Sequence, residues 1–299
     1  MFKHILVPLD GSKLAESVLP AAASLASKTK AVVTLFHVIE QKAPSEVHHE
    51  RHLTKADEAN AYLEAIAQKY FAKDARVDHH VHSAEVKDVA ASIAEHAQEL
   101  NSDLIVMCAH GRSGVRDVLF GGIALQVIAR GETPVLLLRP SPTSTPEAFQ
   151  LQRIMLPLDS ESAHDDSFPY AIDLAKAYNA AIIMLTVIPT YGTLTGEEVA
   201  ASTLLPGTTT ALLDIKEKDA RDHLQAHVEE LNSSGFEVFA ETARGDPVSM
   251  IVSEAERLEA DLILLATHRK AGLDAFWSRS VAPNIARRTK LPLLLLPLK

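Results

Sequence analysis

The sequence predicts an α/β protein with two doubly wound, five-stranded parallel-sheet domains in tandem. Three observations lead to this prediction: a length of 299 residues, an internal repeat, and an alternation of short apolar runs with helical periods. At roughly 150 residues per domain, the length allows two domains. The composition, with 47% hydrophobic and 23% charged residues, is typical of a globular protein with enough apolar side chains for two cores.

The repeat is visible at both ends of each copy. Residues 5–12, Ile-Leu-Val-Pro-Leu-Asp-Gly-Ser, align with residues 154–161, and residues 103–107 align with residues 261–265. The spacing between the copies grows along the chain, which indicates an insertion in the second copy. We expect that insertion in a Thr-, Gly- and Pro-containing loop at 189–207. These features predict a first domain at 1–140, a proline-rich linker at 141–150 and a second domain at 151–299.

Five short apolar runs of the first copy are predicted strands. They lie at residues 5–9, 31–38, 77–81, 104–109 and 135–138. Between them, apolar residues recur with helical spacing at 14–25, 56–70 and 86–100. Near-continuous apolar strands separated by helices form a parallel sheet that is covered on both faces. Ligands bind such sheets beyond the carboxyl ends of the strands, where the strand order reverses.

Candidate binding residues follow the predicted strands of the first copy. They are Pro8 and Asp10 after the first strand, Val38 after the second, Cys108 and Gly111 after the fourth, and Gly121 and Gly122 before the next helix. A glycine-containing loop between a strand and a helix lets backbone N–H groups approach an anion. The same glycines are also ordinary turn residues, and Asp10 is also a typical helix N-cap.

Three motifs resemble the universal stress protein family: the opening Val-Pro-Leu-Asp-Gly-Ser, the Asp-Leu-Ile-Val-Met strand followed by His-Gly-Arg-Ser-Gly, and the closing Pro-Val-Leu-Leu-Leu. The resemblance covers both copies. It implies the adenine nucleotide alpha-hydrolase-like fold and a binding or regulatory role in stress resistance. In nucleotide-binding members a Gly-x2-Gly-x9-Gly-Ser/Thr loop holds the phosphates of ATP, with Mg²⁺ as an expected companion. By this resemblance, Asp10 and Val38 contact the adenosine.

The phosphate loop departs from the family pattern in both copies. The first copy reads Cys108-x2-Gly111-x9-Gly121-Gly122, and the second reads Ala266-x2-Arg269-x9-Arg279-Ser280. A side chain where glycine is needed costs about 1–2 kcal/mol, and a lost hydroxyl about 1 kcal/mol. We therefore expect ATP in the first domain only. In the second, Asp159, Val187, Arg269 and Ser280 are weaker candidates.

Histidines suggest a second kind of site. His48 and His52 have i, i+4 spacing at the start of a predicted helix, and His80 and His82 share one face of a predicted strand. The i, i+4 spacing of His48 and His52 can chelate zinc. A metal site between the two pairs is one hypothesis, and a solvated, pH-sensitive surface is the other.

Other features exclude several classes. A single cysteine excludes a disulfide framework, no apolar run is long enough to span a membrane, and the N-terminus has no signal-peptide pattern. The net charge is −10, with no basic half, so neither nucleic acid nor a membrane is an expected partner. Gly-x-Ser-x-Gly and Walker A motifs are absent, so at most slow ATP hydrolysis is expected. We expect a cytoplasmic protein.

Several alternatives remain open. A related adenine nucleotide hydrolase needs a Ser-Gly-Gly-x-Asp-Ser-like loop, which residues 9–13 do not supply, and a phospho-receiver needs an aspartate after the third strand. A family member that binds no nucleotide could act through protein partners or a zinc site at the histidines. The apolar strands at 135–138 and 293–296 are predicted to pair within the chain. A homodimer of the whole chain stays open.

Overall fold

The computed structural model describes residues 2–47, 50–109, 122–140, 149–158, 167–194, 197–268 and 281–298. In the first half the strands are β1 (His4–Pro8), β2 (Val32–Glu40), β3 (Glu46–Val47), β4 (Glu50–Arg51), β5 (Val77–Val86), β6 (Leu104–Cys108) and β7 (Val135–Leu138). The helices are α1 (Lys13–Glu16), α2 (Leu19–Thr29), α3 (Ala56–Tyr70), α4 (Val89–Glu99) and α5 (Gly122–Arg130).

The second half repeats this alternation of strands and helices. Its strands are β8 (Arg153–Leu158), β9 (Ala181–Ile188), β10 (Val238–Arg244), β11 (Leu262–His268) and β12 (Leu293–Leu298). Its helices are α6 (Phe168–Tyr178), α7 (Glu197–Leu204), α8 (Pro206–Ser233), α9 (Pro247–Arg257) and α10 (Val281–Arg288), with a 3₁₀ turn at Tyr191–Thr193.

Ten strands form one sheet in the order β10-β9-β8-β11-β12-β7-β6-β1-β2-β5. In this ten-stranded sheet all pairs within each half are parallel, and in each half the order reverses beside the first strand, which confirms the doubly wound α/β class. Helices α2, α3, α6 and α8 cover one face, and α4, α5, α9 and α10 cover the other. Neighbouring side chains of β1 show why the strands are apolar throughout: Ile5 faces the first layer and Leu6 the second, and both are fully buried.

The two halves meet at the antiparallel pair of β7 and β12, where Leu136 lies opposite Leu294. This confirms the predicted pairing of the two terminal strands. Polar contacts also cross the boundary: the hydroxyls of Ser24 and Tyr178 lie 3.0 Å apart, and Ser24 Oγ donates to the carbonyl of Phe149. Burial raises the pKa of Tyr178 to about 12. The pairing removes two sheet edges that would otherwise be exposed.

Two predictions for the connecting segments are wrong. Residues 189–207, expected as a loop, contain a 3₁₀ turn, helix α7 and the start of α8. Residues 46–51, expected at the start of a helix, contain the short antiparallel pair of β3 and β4, and α3 begins only at Ala56. Both segments follow the second strand of their half, where the chain has no strong apolar period to fix a prediction.

Candidate functional site

The strand order reverses between β1 and β6 in the first half, so their carboxyl ends and that of β2 share one edge of the sheet. Pro8 ends β1, Val38 lies near the end of β2 and Cys108 ends β6. The structure therefore brings these three predicted residues to one edge. Val38 and Cys108 are both buried, with Ser17 Oγ lying 3.5 Å from Cys108 Sγ.

A tight turn holds Asp10 at this edge. Its Oδ1 accepts hydrogen bonds from the backbone N–H of Ser12 at 2.9 Å and from Ser12 Oγ at 2.7 Å. The Ser12 hydroxyl in turn accepts from Ala15 N and caps helix α1. Gly11 has a φ of +91°, a left-handed conformation that favours glycine. The Asp10 carboxylate is thus held in one position. That position suits both its hydrogen bonds within the turn and a role in ligand binding.

The connection from β2 to α3 folds back over this turn. A Cβ added to Gly11 would lie 3.0 Å from the Leu53 side chain. The Glu50 carboxylate accepts a hydrogen bond from the backbone N–H of Lys13. The β3–β4 segment therefore covers the beginning of α1 and leaves the end of β1 partly enclosed.

His37 ties this connection to the sheet. Its Nδ1 lies 2.7 Å from the Leu9 carbonyl and its Nε2 lies 3.0 Å from the Leu53 carbonyl, and the side chain is buried. Carbonyl oxygens only accept, so both bonds form at once only when the ring carries two protons.

His52 packs edge-on against His37, with 6.5 Å between the ring centroids. Burial lowers the pKa of His52, and the carboxylates of Glu40 and Asp10 partly oppose this effect. Its Nδ1 is buried and has no hydrogen-bond partner within the described residues. The end of β1 and β2 is thus lined by three acids, Asp10, Glu40 and Glu50, and by two histidines.

The remaining candidates for nucleotide binding are only partly placed. Gly122 is the exposed first residue of α5, whereas Gly111 and Gly121 lie outside the described residues. In the second half Val187 lies on β9, half-buried and paired with Ala243 of β10. Asp159, Arg269 and Ser280 also lie outside the described residues.

Among the described histidines of the metal hypothesis, His52 lies apart from His80 and His82. His80 stacks on Phe36, so it lies on one face of the sheet, whereas His37 and His52 lie on the other because strand neighbours alternate. His52 follows β4 and lies on no helix, so the i, i+4 argument for it fails; His48 is outside the described residues. Among the described residues, no group of three or more histidine, cysteine or acidic side chains is arranged to hold a metal.

Sequence reasoning overlooked several residues near the predicted candidates. One is His96 on α4: its Nε2 lies 3.2 Å from Nδ1 of the predicted His82, and it sits on the buried face of that helix, a position that the apolar period of the helix indicates. His37, Glu50 and Leu53 meet Asp10 through contacts between distant parts of the chain. The spacing of these three residues in the sequence follows no helical or strand period, because the connection that brings them together is irregular.

Within the described residues, no helix is both long and apolar enough to cross a bilayer. The cytoplasmic location expected from the sequence stays a prediction.

Comparison with known proteins agrees with the motifs. The model of the universal stress protein family matches residues 1–139 and again 150–297. A universal stress protein of Methanocaldococcus jannaschii is 24% identical over 145 residues, which cover 48% of this chain and 80% of that protein. One from Synechocystis is 31% identical over 138 residues, 46% of this chain and 85% of that protein.

A solved universal stress protein from Archaeoglobus fulgidus is similar over the whole chain. The match covers 99% of this chain and 96% of that one, with a TM-score of 0.69 and 18% identity. At this identity the likeness concerns the fold. Because the family model matches each half in turn, the chain is a tandem, two-domain member of the universal stress protein family.

Proposed function

We propose that the first domain, residues 1–140, binds an adenine nucleotide at the shared carboxyl ends of β1, β2 and β6. The observation that carries this is the meeting of Asp10, Val38 and Cys108 at the point where the strand order reverses. The protein then acts as a regulatory binding protein in stress resistance rather than as an enzyme. The second domain, residues 151–299, completes the sheet and does not bind ATP in this manner.

Each residue has a role that its chemistry supports. The family resemblance places Val38 beside the adenosine, and the Asp10 carboxylate can accept hydrogen bonds from ribose hydroxyls. The family resemblance assigns the phosphates to the loop that includes Gly111, Gly121 and Gly122. Residues of the first copy hold the ligand, because the second copy has arginine at two of the glycine positions.

The charge of the site predicts a role for a divalent cation. Besides Asp10, which faces the ribose in this proposal, Glu40 and Glu50 lie near the ends of β1 and β2, and these two carboxylates would repel the phosphates of ATP. Mg²⁺ bound to the phosphates would reduce that repulsion. We therefore expect tighter binding of Mg²⁺–ATP than of ATP alone.

Isothermal titration of nucleotide-stripped full-length protein with Mg²⁺–ATP tests this function. We expect one site per chain, weakened at least about tenfold in Asp10→Asn. The amide oxygen can still accept from Ser12, so the turn survives while the charge is lost. Gly121→Arg, which introduces the residue type of the equivalent Arg279 in the second copy, should abolish binding. Asp159→Asn, the equivalent change in the second copy, is the matched control and should bind normally.

Two results would contradict the proposal: no saturable binding at millimolar ATP, or a loss of binding in Asp159→Asn equal to that in Asp10→Asn. The first would leave a family member that acts without nucleotide.

A further inference from the structure

Exposed apolar side chains are concentrated in one region of the second half. The described residues contain nine large apolar side chains that are exposed, and six of them lie between residues 191 and 215: Tyr191, Val199, Leu204, Leu205, Leu212 and Ile215. Single exposed apolar residues are ordinary, but such a concentration typically marks an interaction surface.

Tyr191 lies in the 3₁₀ turn, Val199 and Leu204 lie in α7, and Leu205, Leu212 and Ile215 lie at the N-cap and in the first half of α8, a helix that is much longer than its counterpart in the first half. Helix α8 has 28 residues, whereas α3, which follows the equivalent strand of the first half, has 15. The inner side of the extra turns packs on a small separate cluster that includes Ile188, Leu194 and Leu213. The outer side carries Leu205, Leu212 and Ile215, each about half exposed or more. Heptad spacing places Leu205, Leu212 and Asp219 on one side of the helix.

Charged side chains are distributed unevenly from the second half of α7 into α8. Residues 199–213 include no charged side chain, whereas Asp214 to Asp222 alternate in sign. The first turn of α8 has no acidic residue, and its N-cap, Leu205, makes no side-chain capping bond. The first turn of α8 therefore has no acidic side chain to offset the partial positive charge at the N-terminus of the helix.

We propose that this face of α8 binds the same face of a second copy of the chain, with the two helices antiparallel about a two-fold axis near Leu212. A two-fold axis places the uncharged apolar surface of one copy against the identical surface of the other, so apolar side chains meet apolar side chains. Leu212 lies at the axis, and Ile215 of each copy packs beside it.

The antiparallel arrangement also matches the charges. Asp219 lies seven residues beyond Leu212, and Leu205 lies seven residues before it. Asp219 of one copy therefore approaches the N-terminus of α8 in the second copy, about 10 Å from the axis at a rise of 1.5 Å per residue. A carboxylate is stabilised there by the helix dipole, and in this register no acidic residue of one copy of α8 lies opposite an acidic residue of the other copy of α8. A parallel pairing would instead bring Asp219 against Asp219.

Sedimentation of the full-length protein over a concentration series tests the dimer. Because the surface is small, we expect a reversible dimer at about 10–100 μM rather than a permanent one. Leu212→Glu with Ile215→Glu should weaken it by at least about tenfold, with the melting temperature and circular dichroism preserved. Phe239→Glu is the control, because Phe239 is exposed on the opposite face of the sheet from α8 and should leave the dimer intact.

Cysteine cross-linking tests the geometry, since the only natural cysteine, Cys108, is buried. Leu212→Cys should form a disulfide-linked dimer under mild oxidation. Leu205→Cys and Asp219→Cys should each fail alone and cross-link when mixed. A monomer at all concentrations, a dimer that survives both α8 glutamates, or efficient cross-linking of Asp219→Cys to itself would overturn the proposal. So would a monomer whose α8 face binds neutral phosphatidylcholine vesicles, which would assign the face to a membrane.

Discussion

The two halves of the chain have the same sheet but differ in the segment that follows their second strand. In the first half, residues 50–55 return to the sheet, where Leu53 covers Gly11 and the Glu50 carboxylate accepts from the amide of Lys13. In the second half, helix α7 precedes the long helix α8. One connection encloses the carboxyl end of the first strand, and the other builds an exposed apolar surface.

The features that the halves share are those that hold the backbone. Asp103 accepts from the N–H groups of Lys3 and His4, and Asp261 accepts from those of Gln152 and Arg153. The comparison teaches that the two halves share the anchors of the sheet, whereas the connections after their second strands differ.

The largest expected effect is a difference in the free energy of unfolding between a substitution at the boundary of the two halves and one on the surface of α8. Leu294 is 1% exposed in β12, and Leu212 is 49% exposed on α8. Leu294→Ala should lower the free energy of unfolding by about 3 kcal/mol, because it leaves a cavity where the halves pair. Leu212→Ala should change it by less than about 1 kcal/mol. Urea denaturation at low protein concentration measures both, and equal losses would show that the boundary is not a packed core.

A second prediction concerns the shared anchors. Asp103→Ala and Asp261→Ala each remove an acceptor of two backbone N–H groups, so each should cost about 2 kcal/mol of unfolding free energy. Denaturation of the two variants should give values within about 0.5 kcal/mol of each other. A large effect in one half alone would contradict the equivalence of the two anchors.

The third prediction isolates the covering role of Leu53. Gly11 and Gly235 have nearly equal left-handed φ values, +91° and +88°, but only Gly11 has a side chain close to the position of an added Cβ. Gly235→Ala should therefore cost about 1 kcal/mol, and Gly11→Ala about 1 kcal/mol more. The excess should disappear in Gly11→Ala with Leu53→Ala, measured by urea denaturation against Leu53→Ala alone. Persistence of the full excess would mean that Leu53 does not cover the turn.

The fold could be predicted from the sequence because two signals specify it. The apolar periods are visible within short segments, and the repeated motifs are visible when the two copies are compared. The apolar period of residues 56–70 coincides with helix α3, and the repeated motifs fix the equivalence of β1 and β8. The pairing of β7 with β12 was predictable from the apolar runs of these two strands, which must be covered.

The candidate site was only partly predictable. Pro8, Asp10, Val38 and Cys108 could be placed at one edge, because parallel strands bring their carboxyl ends together. Glu50 and Leu53 could not, because an irregular connection sets their positions and leaves no periodic pattern. His37 lies on β2, but its contact with the Leu53 carbonyl depends on that same connection. The pairing of His82 with His96 needed the packing of α4 on β5, which no spacing within either element specifies.

The smallest expected effect is a difference in acid sensitivity between the two edge strands. Burial, together with His96 and His82, lowers the pKa of His80 on β5 below its usual value of 6.5. The unfolded chain therefore takes up the proton at higher pH than the folded one, so the stability contributed by the neutral ring is complete above pH 6.5 and is lost as the pH falls through the folded pKa. Strand β10 contains no histidine.

Hydrogen exchange, corrected for intrinsic rates, should show faster opening of β5 at pH 5 than at pH 7, with β10 unchanged. His80→Gln should reduce the change in β5, and His79→Gln is the neighbouring control. Equal loosening of both edge strands would contradict the assignment to His80.

The most direct test of the difference between the halves is hydrogen exchange of the full chain with and without Mg²⁺–ATP. We predict that nucleotide slows exchange in residues 8–13, 36–40 and 50–54, and leaves the equivalent strand ends of the second half, around residues 157–158 and 185–188, unchanged. Protection centred on the second half, or equal protection of both, would contradict the assignment of the nucleotide to the first half.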